Sequence, residues 1–263
     1  MRVGFIGAGQ MGRPMVDRLA GAGWQPEVYA RRAEARAELA AAGIAATGSA
    51  TDLAGRADLL IVCLFSDAQV REVLFDDGVL AALQPGAILA NHVTGSPNLP
   101  LELQAAAPAG VRILDVPVSG TADSIRAGEL TLLAAGDPAD IERARAPLSS
   151  YGSPILEVGG LGDGQRIKLI NNLLFTGNLR LALAAAALGE SLGVAPADLA
   201  RVITECSGDS FAMRRLTLAP PAALEHGAKP YLAKDVAVIR QVARELGLHL
   251  GELGEIAAWA DGG

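Results

Sequence analysis

Val3-Gly4-Phe5-Ile6-Gly7-Ala8-Gly9-Gln10-Met11-Gly12 decides how this chain is read. A short apolar run enters Gly7-Ala8-Gly9-Gln10-Met11-Gly12, which fits G-x-G-x-x-G, and a helical pattern over residues 11–20 follows. Alone the pattern is weak, but between a strand and a helix it has a physical meaning. The first glycine permits a tight turn, the second lets a pyrophosphate approach the backbone, and the third lets helix and strand pack closely. The helix N-terminus then offers free N–H groups and a positive dipole end to phosphate. Gly7, Ala8, Gly9, Gln10, Met11 and Gly12 are therefore read as a dinucleotide-phosphate turn. The plain alternative is a glycine turn with no ligand.

Outward from that turn, short apolar runs alternate with alanine-rich stretches of helical length. Strands are expected over residues 3–6, 27–29, 44–46, 59–64, 88–91, 113–116, 130–134 and 155–158. Helices are expected over 11–20, 33–42, 68–75, 99–107 and 138–148. Such alternation implies a mostly parallel sheet covered on both faces, an α/β doubly wound sheet of the Rossmann kind. Gly159-Gly160-Leu161-Gly162-Asp163-Gly164 breaks the pattern. Beyond it no strand is expected, and residues 165–192 read as one long interdomain helix, about 40 Å at 1.5 Å per residue. Its second half, Leu181-Ala182-Leu183-Ala184-Ala185-Ala186-Ala187-Leu188, is apolar all round and is expected to be buried on all sides. Further helices are expected over 196–206 and 231–246. The organisation is thus a Rossmann domain, 1–162, and an all-α domain, 163–263.

Cofactor choice is read at the end of the second strand, about 20 residues on, where an acid would hold the 2′-hydroxyl of NAD. Here Ala30 takes that place, and Arg31 and Arg32 follow. A guanidinium pairs with a 2′-phosphate, so NADP(H) is favoured over NAD(H). Two solvated surface arginines with loose cofactor preference are the alternative.

A net charge of −7 argues against nucleic acid or an anionic membrane as partner, because both favour basic patches. Cys63 and Cys206 lack metal or CxxC spacing and are read as buried small residues in a reducing, cytoplasmic setting. The N-terminus runs straight into a strand, unlike a signal peptide. The apolar run 179–188 is too short to span a bilayer alone. No carboxylate–histidine cluster suggests a metal.

Three more segments carry a resemblance. Asp115-Val116-Pro117-Val118-Ser119-Gly120-Thr121 with Ala127-Gly128-Glu129-Leu130-Thr131, then Gly164-Gln165-Arg166-Ile167-Lys168-Leu169-Ile170-Asn171-Asn172, then Lys234-Asp235 join the opening turn. Together they resemble the β-hydroxyacid dehydrogenases, relatives of 3-hydroxyisobutyrate dehydrogenase, tartronate semialdehyde reductase and 6-phosphogluconate dehydrogenase, over nearly the whole chain. The resemblance implies that Ser119, Gly120 and Thr121 hold a substrate carboxylate, with Thr121 departing from the usual glycine. It implies that Lys168 is the catalytic acid/base, that Asn172 orients substrate, and that Lys234 contacts cofactor or substrate; a salt-bridging lysine at a helix start is the alternative for Lys234. Independently, Lys168 and Asn172 are i and i+4 on one helix face. A lysine, unlike an arginine, is tunable for proton transfer. Leu64, Phe65 and Ser66 are implied to pass under the adenine ribose and pyrophosphate, and Thr94 to touch the nicotinamide ribose or amide. Asn91 and Val93 replace the family's Asp and Ser, and His92 is read as hydrogen-bonding locally.

The expected activity is hydride transfer between NADP(H) and a small β-hydroxyacid or its semialdehyde or keto acid. An imine reductase, which usually carries an acid or Tyr in place of Lys168, and a non-catalytic NADP-binding module are the alternatives. A homodimer is expected from the apolar long helix. After Lys234 only 29 residues remain, so one or two terminal helices are expected to be lacking.

Overall fold

The computed structural model describes residues 1–260. A first compact unit, Met1–Lys168, carries every strand. β1 (Val3–Ile6), β2 (Glu27–Tyr29), β3 (Ala45–Thr47), β4 (Leu59–Val62), β5 (Ile88–Asn91) and β6 (Arg112–Asp115) lie parallel in the order 3-2-1-4-5-6. β8 (Thr131–Ala135) pairs antiparallel with β6, and carries β7 (Val118–Ser119) antiparallel and β9 (Ile155–Gly159) parallel to itself. The order reverses between β1 and β4, which is where doubly wound sheets bind ligands, outside the carboxyl strand ends.

Side-chain alternation builds two cores from the same strands. Phe5, Leu59 and Ile61 enter one face with Met15, Val16 and Leu19 of α1 (Gly12–Gly21) and Ile141 of α8 (Pro138–Leu148). Ile6, Leu60 and Val62 enter the other with Leu53 of α3 (Ala50–Arg56), Leu80 of α5 (Val79–Ala82) and Leu103 of α6 (Leu99–Ala106). α2 (Ala33–Ala41), α4 (Asp67–Arg71) and α7 (Ala122–Ala127) complete the unit. The strand expected over 59–64 stops at Val62, because Cys63 and Leu64 already belong to the ligand-side loop. α3, α5, α7 and the two-residue β7 were not anticipated; they are too short to show a period.

The second unit begins at Leu169 and, among the described residues, is entirely helical. α9 (Asp163–Ser191) starts in the first unit; α10 (Pro196–Ile203), α11 (Phe211–Arg215), α12 (Pro221–Leu246) and α13 (Gly251–Ala257) follow. Leu173, Leu179, Ala182 and Ala186 of α9 pack with Met213, Leu216, Leu232, Val236 and Ala257. Three expectations are corrected. The second half of α9 is covered on one side only, since Leu181 and Leu188 are 58% and 62% exposed. α12 begins at Pro221 and runs through Pro230, so Lys234 lies inside a helix rather than at its start. Cys206 is exposed, whereas Cys63 is partly buried. A short helix, α13, follows α12. By length and composition α9 is long enough to cross a membrane, with 44% of its most apolar stretch buried inside the chain.

Candidate functional site

The glycine turn is set by steric necessity at two positions. Gly7 has φ +101°, and a Cβ there would lie 2.1 Å from the Cys63 carbonyl oxygen. A Cβ on Gly12 would lie 2.1 Å from the Gly7 oxygen and 2.9 Å from the Phe5 ring. Gly9 differs, for a Cβ there would meet nothing within 4 Å. The open side of the turn is thus at Gly9, where backbone approach by a phosphate needs it. Ala8 and Met11 pack partly on the core beneath, and Gln10 is exposed. No side chain caps α1 at Met11, and no acid stands in its first turn. These residues fit a dinucleotide: an uncapped helix N-terminus and a glycine with free space suit a phosphate anion.

At the end of β2, Ala30 is partly buried and offers no carboxylate, while Arg31 and Arg32 are exposed. Arg36 donates from one nitrogen to the carbonyls of Ala30 and Arg31, both at 2.8 Å, and so fixes this loop. Sequence reading missed Arg36; its signal was a third arginine one helical turn beyond Arg32. After β4, Leu64 packs on the second core and Phe65 is half exposed. The Phe65 N–H donates to Gln69 Oε1 at 2.9 Å, and Ser66 caps α4. Burial pushes the Cys63 thiol up to about 12, so it is no thiolate nucleophile near neutral pH.

The loop after β5 is held by buried polar groups. Asn91 accepts from the Val93 N–H at 3.2 Å, and Thr94 is half-buried. Ser96 N–H donates to Asp67 at 2.7 Å. His92 is buried, with Nδ1 2.6 Å from the Val116 carbonyl and Nε2 2.7 Å from the Tyr151 hydroxyl. Burial lowers its pKa to about 4, so it is neutral near pH 7. It makes only hydrogen bonds within the protein, but to partners 24 and 59 residues away in sequence.

One buried network was missed altogether. Gln165, in the first turn of α9, donates its amide to the Val93 carbonyl at 2.9 Å and to Asp115 Oδ1 at 2.7 Å, and accepts from the Gly95 N–H at 2.8 Å. Its backbone N–H donates to Asp115 Oδ2 at 3.0 Å. Burial raises the Asp115 pKa to about 6, against these hydrogen bonds, which lower it. Gly164 lets α9 approach, because a Cβ there would lie 2.9 Å from both Asp115 and the Pro117 ring. The start of α9 is therefore locked to the ends of β5 and β6. Lys168 follows one turn later, 8% exposed, as the last residue of the unit.

Ser119 and Gly120 stand at the end of β7, with Gly120 at φ +148°. Thr121 forms a capping box with Ser124: its hydroxyl accepts from the Ser124 N–H, and its own N–H donates to the Ser124 hydroxyl. The hydroxyl and the N–H of Thr121 thus both bond Ser124 at the start of α7. In the second unit, Asn172 donates to Asp235 at 2.5 Å and accepts from Asn171 at 3.0 Å. Lys234 pairs with Asp235 at 3.0 Å. Asn172 and Lys234 meet on one buried carboxylate, the partner that sequence reading assigned no role. Among the described residues no group of three His, Cys, Asp or Glu side chains is placed to hold a metal.

Residues 2–160 match the family model of the NAD binding domain of 6-phosphogluconate dehydrogenase. Residues 162–258 match that described as NAD-binding of NADP-dependent 3-hydroxyisobutyrate dehydrogenase. The chain is 32% identical to an NAD-dependent L-serine dehydrogenase of Pseudomonas aeruginosa, over 92% of this chain and 85% of that protein. It is similar to the structure of a Mycobacterium tuberculosis 3-hydroxyisobutyrate dehydrogenase described with L-serine, at TM-score 0.85 and 28% identity, covering 99% of this chain and 93% of the other. It is also similar to Psf3 in complex with NADP+ and 2-OPP, at TM-score 0.86 and 28% identity, covering 98% and 93%.

Proposed function

The chain belongs to the β-hydroxyacid dehydrogenase family of NAD(P)-dependent oxidoreductases, and we propose that it is an NADP(H)-dependent member working on a small β-hydroxyacid or the matching semialdehyde or keto acid, with Lys168 as general acid/base. The observation that carries this reading is Lys168 itself. It is buried on α9, one turn past the Gln165–Asp115 lock, in the unit that contains the glycine turn. Ser119 and the Gly120 backbone hold the substrate carboxylate, Thr121 fixes the turn that shapes them, and Asn172 orients the substrate. Thr94 touches the nicotinamide side of the cofactor; Leu64, Phe65 and Ser66 run along its adenine ribose and pyrophosphate. Lys234 contacts cofactor or substrate. When bound, the nicotinamide accepts or supplies the hydride. In oxidation Lys168, as the neutral amine, takes the hydroxyl proton as hydride leaves carbon; in reduction it returns a proton to the carbonyl oxygen. L-serine is a β-hydroxyacid, so the names of two of the similar proteins support the substrate class.

Arg31 and Arg32, with Ala30 in the acid position, support NADP(H). Fluorescence titration is expected to give NADPH at least about tenfold tighter binding than NADH, and Arg31→Asp to reverse the order by removing a charge-assisted pair and adding repulsion. Equal binding of the two cofactors in the wild type would remove NADP(H) preference from the account.

We further propose a homodimer built on α9 in the cytoplasm. Leu174, Leu181 and Leu188 are 49%, 58% and 62% exposed and spaced seven residues apart, which places them on one face. Arg180, near the middle of the helix, disfavours a bilayer-spanning role for α9. Sedimentation is expected to show a dimer that Leu181→Glu converts to monomer; a monomeric wild type contradicts it.

A further inference from the structure

β5 and β6 part company at an unusual junction. Their parallel ladder still runs at Asn91, whose carbonyl accepts from the Val116 N–H at 2.8 Å. The next rung of a regular parallel pair would take the Val93 N–H to the Val116 carbonyl. Instead the Val93 N–H turns to the Asn91 side chain, and the Val93 carbonyl accepts from Gln165. The Val116 carbonyl is taken by a side chain, Nδ1 of His92, at 2.6 Å. Pro117 follows at once and has no N–H to offer. An imidazole thus replaces a backbone rung at the point where the strand ends diverge. One side leads to Thr94 and the other to Ser119 and Gly120.

Near neutral pH the buried, uncharged ring has one tautomer that fits its partners. A carbonyl only accepts, so Nδ1 carries the proton. Nε2 then accepts, and the Tyr151 hydroxyl donates to it at 2.7 Å. Tyr151 is fully buried, just beyond α8, and its ring meets His92 edge-on with centroids 5.8 Å apart. A neutral histidine locked in one tautomer is a stiff spacer, unlike a titrating group.

Resting on the proposed dehydrogenase reading, we infer that His92, pinned by Tyr151, is a positioning residue: it sets the distance between the Thr94 loop and the Ser119–Gly120 segment, and thereby between nicotinamide and substrate. It touches neither reactant. Because hydride transfer requires closely aligned reacting atoms, a small misplacement lowers turnover more than binding.

The test measures turnover per NADPH-binding site, obtained by titration, in wild type, His92→Leu, His92→Asn and Tyr151→Phe. Normalising to binding sites separates positioning from a mere loss of folded protein. His92→Leu is expected to lower kcat per site at least about tenfold, with NADPH Kd within about threefold. His92→Asn keeps a donor for the Val116 carbonyl and is expected to recover part of that loss. Tyr151→Phe preserves packing but removes the Nε2 hydrogen bond that pins the ring and is expected to give a smaller fall in kcat. Unchanged kcat per site in both His92→Leu and Tyr151→Phe overturns the inference while leaving the dehydrogenase reading intact. A wild type that binds NADPH and turns over no β-hydroxyacid or semialdehyde overturns that reading, and the role of His92 with it.

Discussion

Lys168→Ala is expected to lower kcat by about 100-fold or more while NADPH affinity stays within about threefold, as removal of a general acid/base does. The split follows from where Lys168 stands. It is on α9, and belongs neither to the glycine turn nor to the Arg31–Arg32 pair proposed to recognise the dinucleotide. Its loss removes the group that exchanges a proton with the substrate oxygen. Lys168→Arg is expected to be as inactive, since a guanidinium stays protonated and cannot serve as the base. Steady-state kinetics with a parallel NADPH titration checks both. A Lys168→Ala protein that loses cofactor binding together with activity would reassign the lysine to structure.

The second large effect belongs to Gln165. Gln165→Leu strips donors from Asp115 and the Val93 carbonyl and an acceptor from the Gly95 N–H, all buried. Leaving a buried polar group without its hydrogen bond typically costs about 1–3 kcal/mol, so a loss on the order of several kcal/mol is expected in urea unfolding of the first unit's signal. The pH dependence has a definite sign. The folded pKa of Asp115, about 6, is above its ordinary 3.8, so the folded state holds this proton more tightly. The group therefore favours the folded state most at low pH, and about 3 kcal/mol of that preference is lost as pH rises from about 4 through 6. Without the Gln165 side chain the largest of the hydrogen bonds that restrain the rise is gone, while the backbone N–H groups of residues 162 and 165 remain; the pKa climbs further, and the loss extends to higher pH. Gln165→Leu is expected to be more destabilising at pH 8 than at pH 5. Equal losses at both pH values would show that Asp115 is not the group that Gln165 serves.

What was legible in the sequence was local. The β1–turn–α1 unit declares itself in ten consecutive residues, and Lys168 and Asn172 in one helical turn. The missed interactions are long in sequence. Asp115 and Gln165 are 50 residues apart and His92 and Tyr151 59 apart. Both pairs depend on strand registers that no periodicity encodes. The Thr121–Ser124 capping box was not legible, because its sequence signature carries Glu or Gln where this chain has Ser124. The misjudged burial of α9 has another cause. A run of alanines carries no sidedness, and the leucines at 174, 181 and 188 reveal a one-sided stripe only when their exposure is known. Lys234 was misplaced along its helix because Pro230 hides the continuity of α12.

NADP-linked chemistry at a β-hydroxyl group is tested most directly by following NADPH formation by the wild-type protein with NADP+ and a panel of small β-hydroxyacids that includes L-serine and 3-hydroxyisobutyrate. NADPH is expected to form with at least one of them, and Lys168→Ala to lose that activity. Tight NADP+ binding with no NADPH formed from any β-hydroxyacid, and no NADPH consumed with the matching semialdehydes, would contradict it.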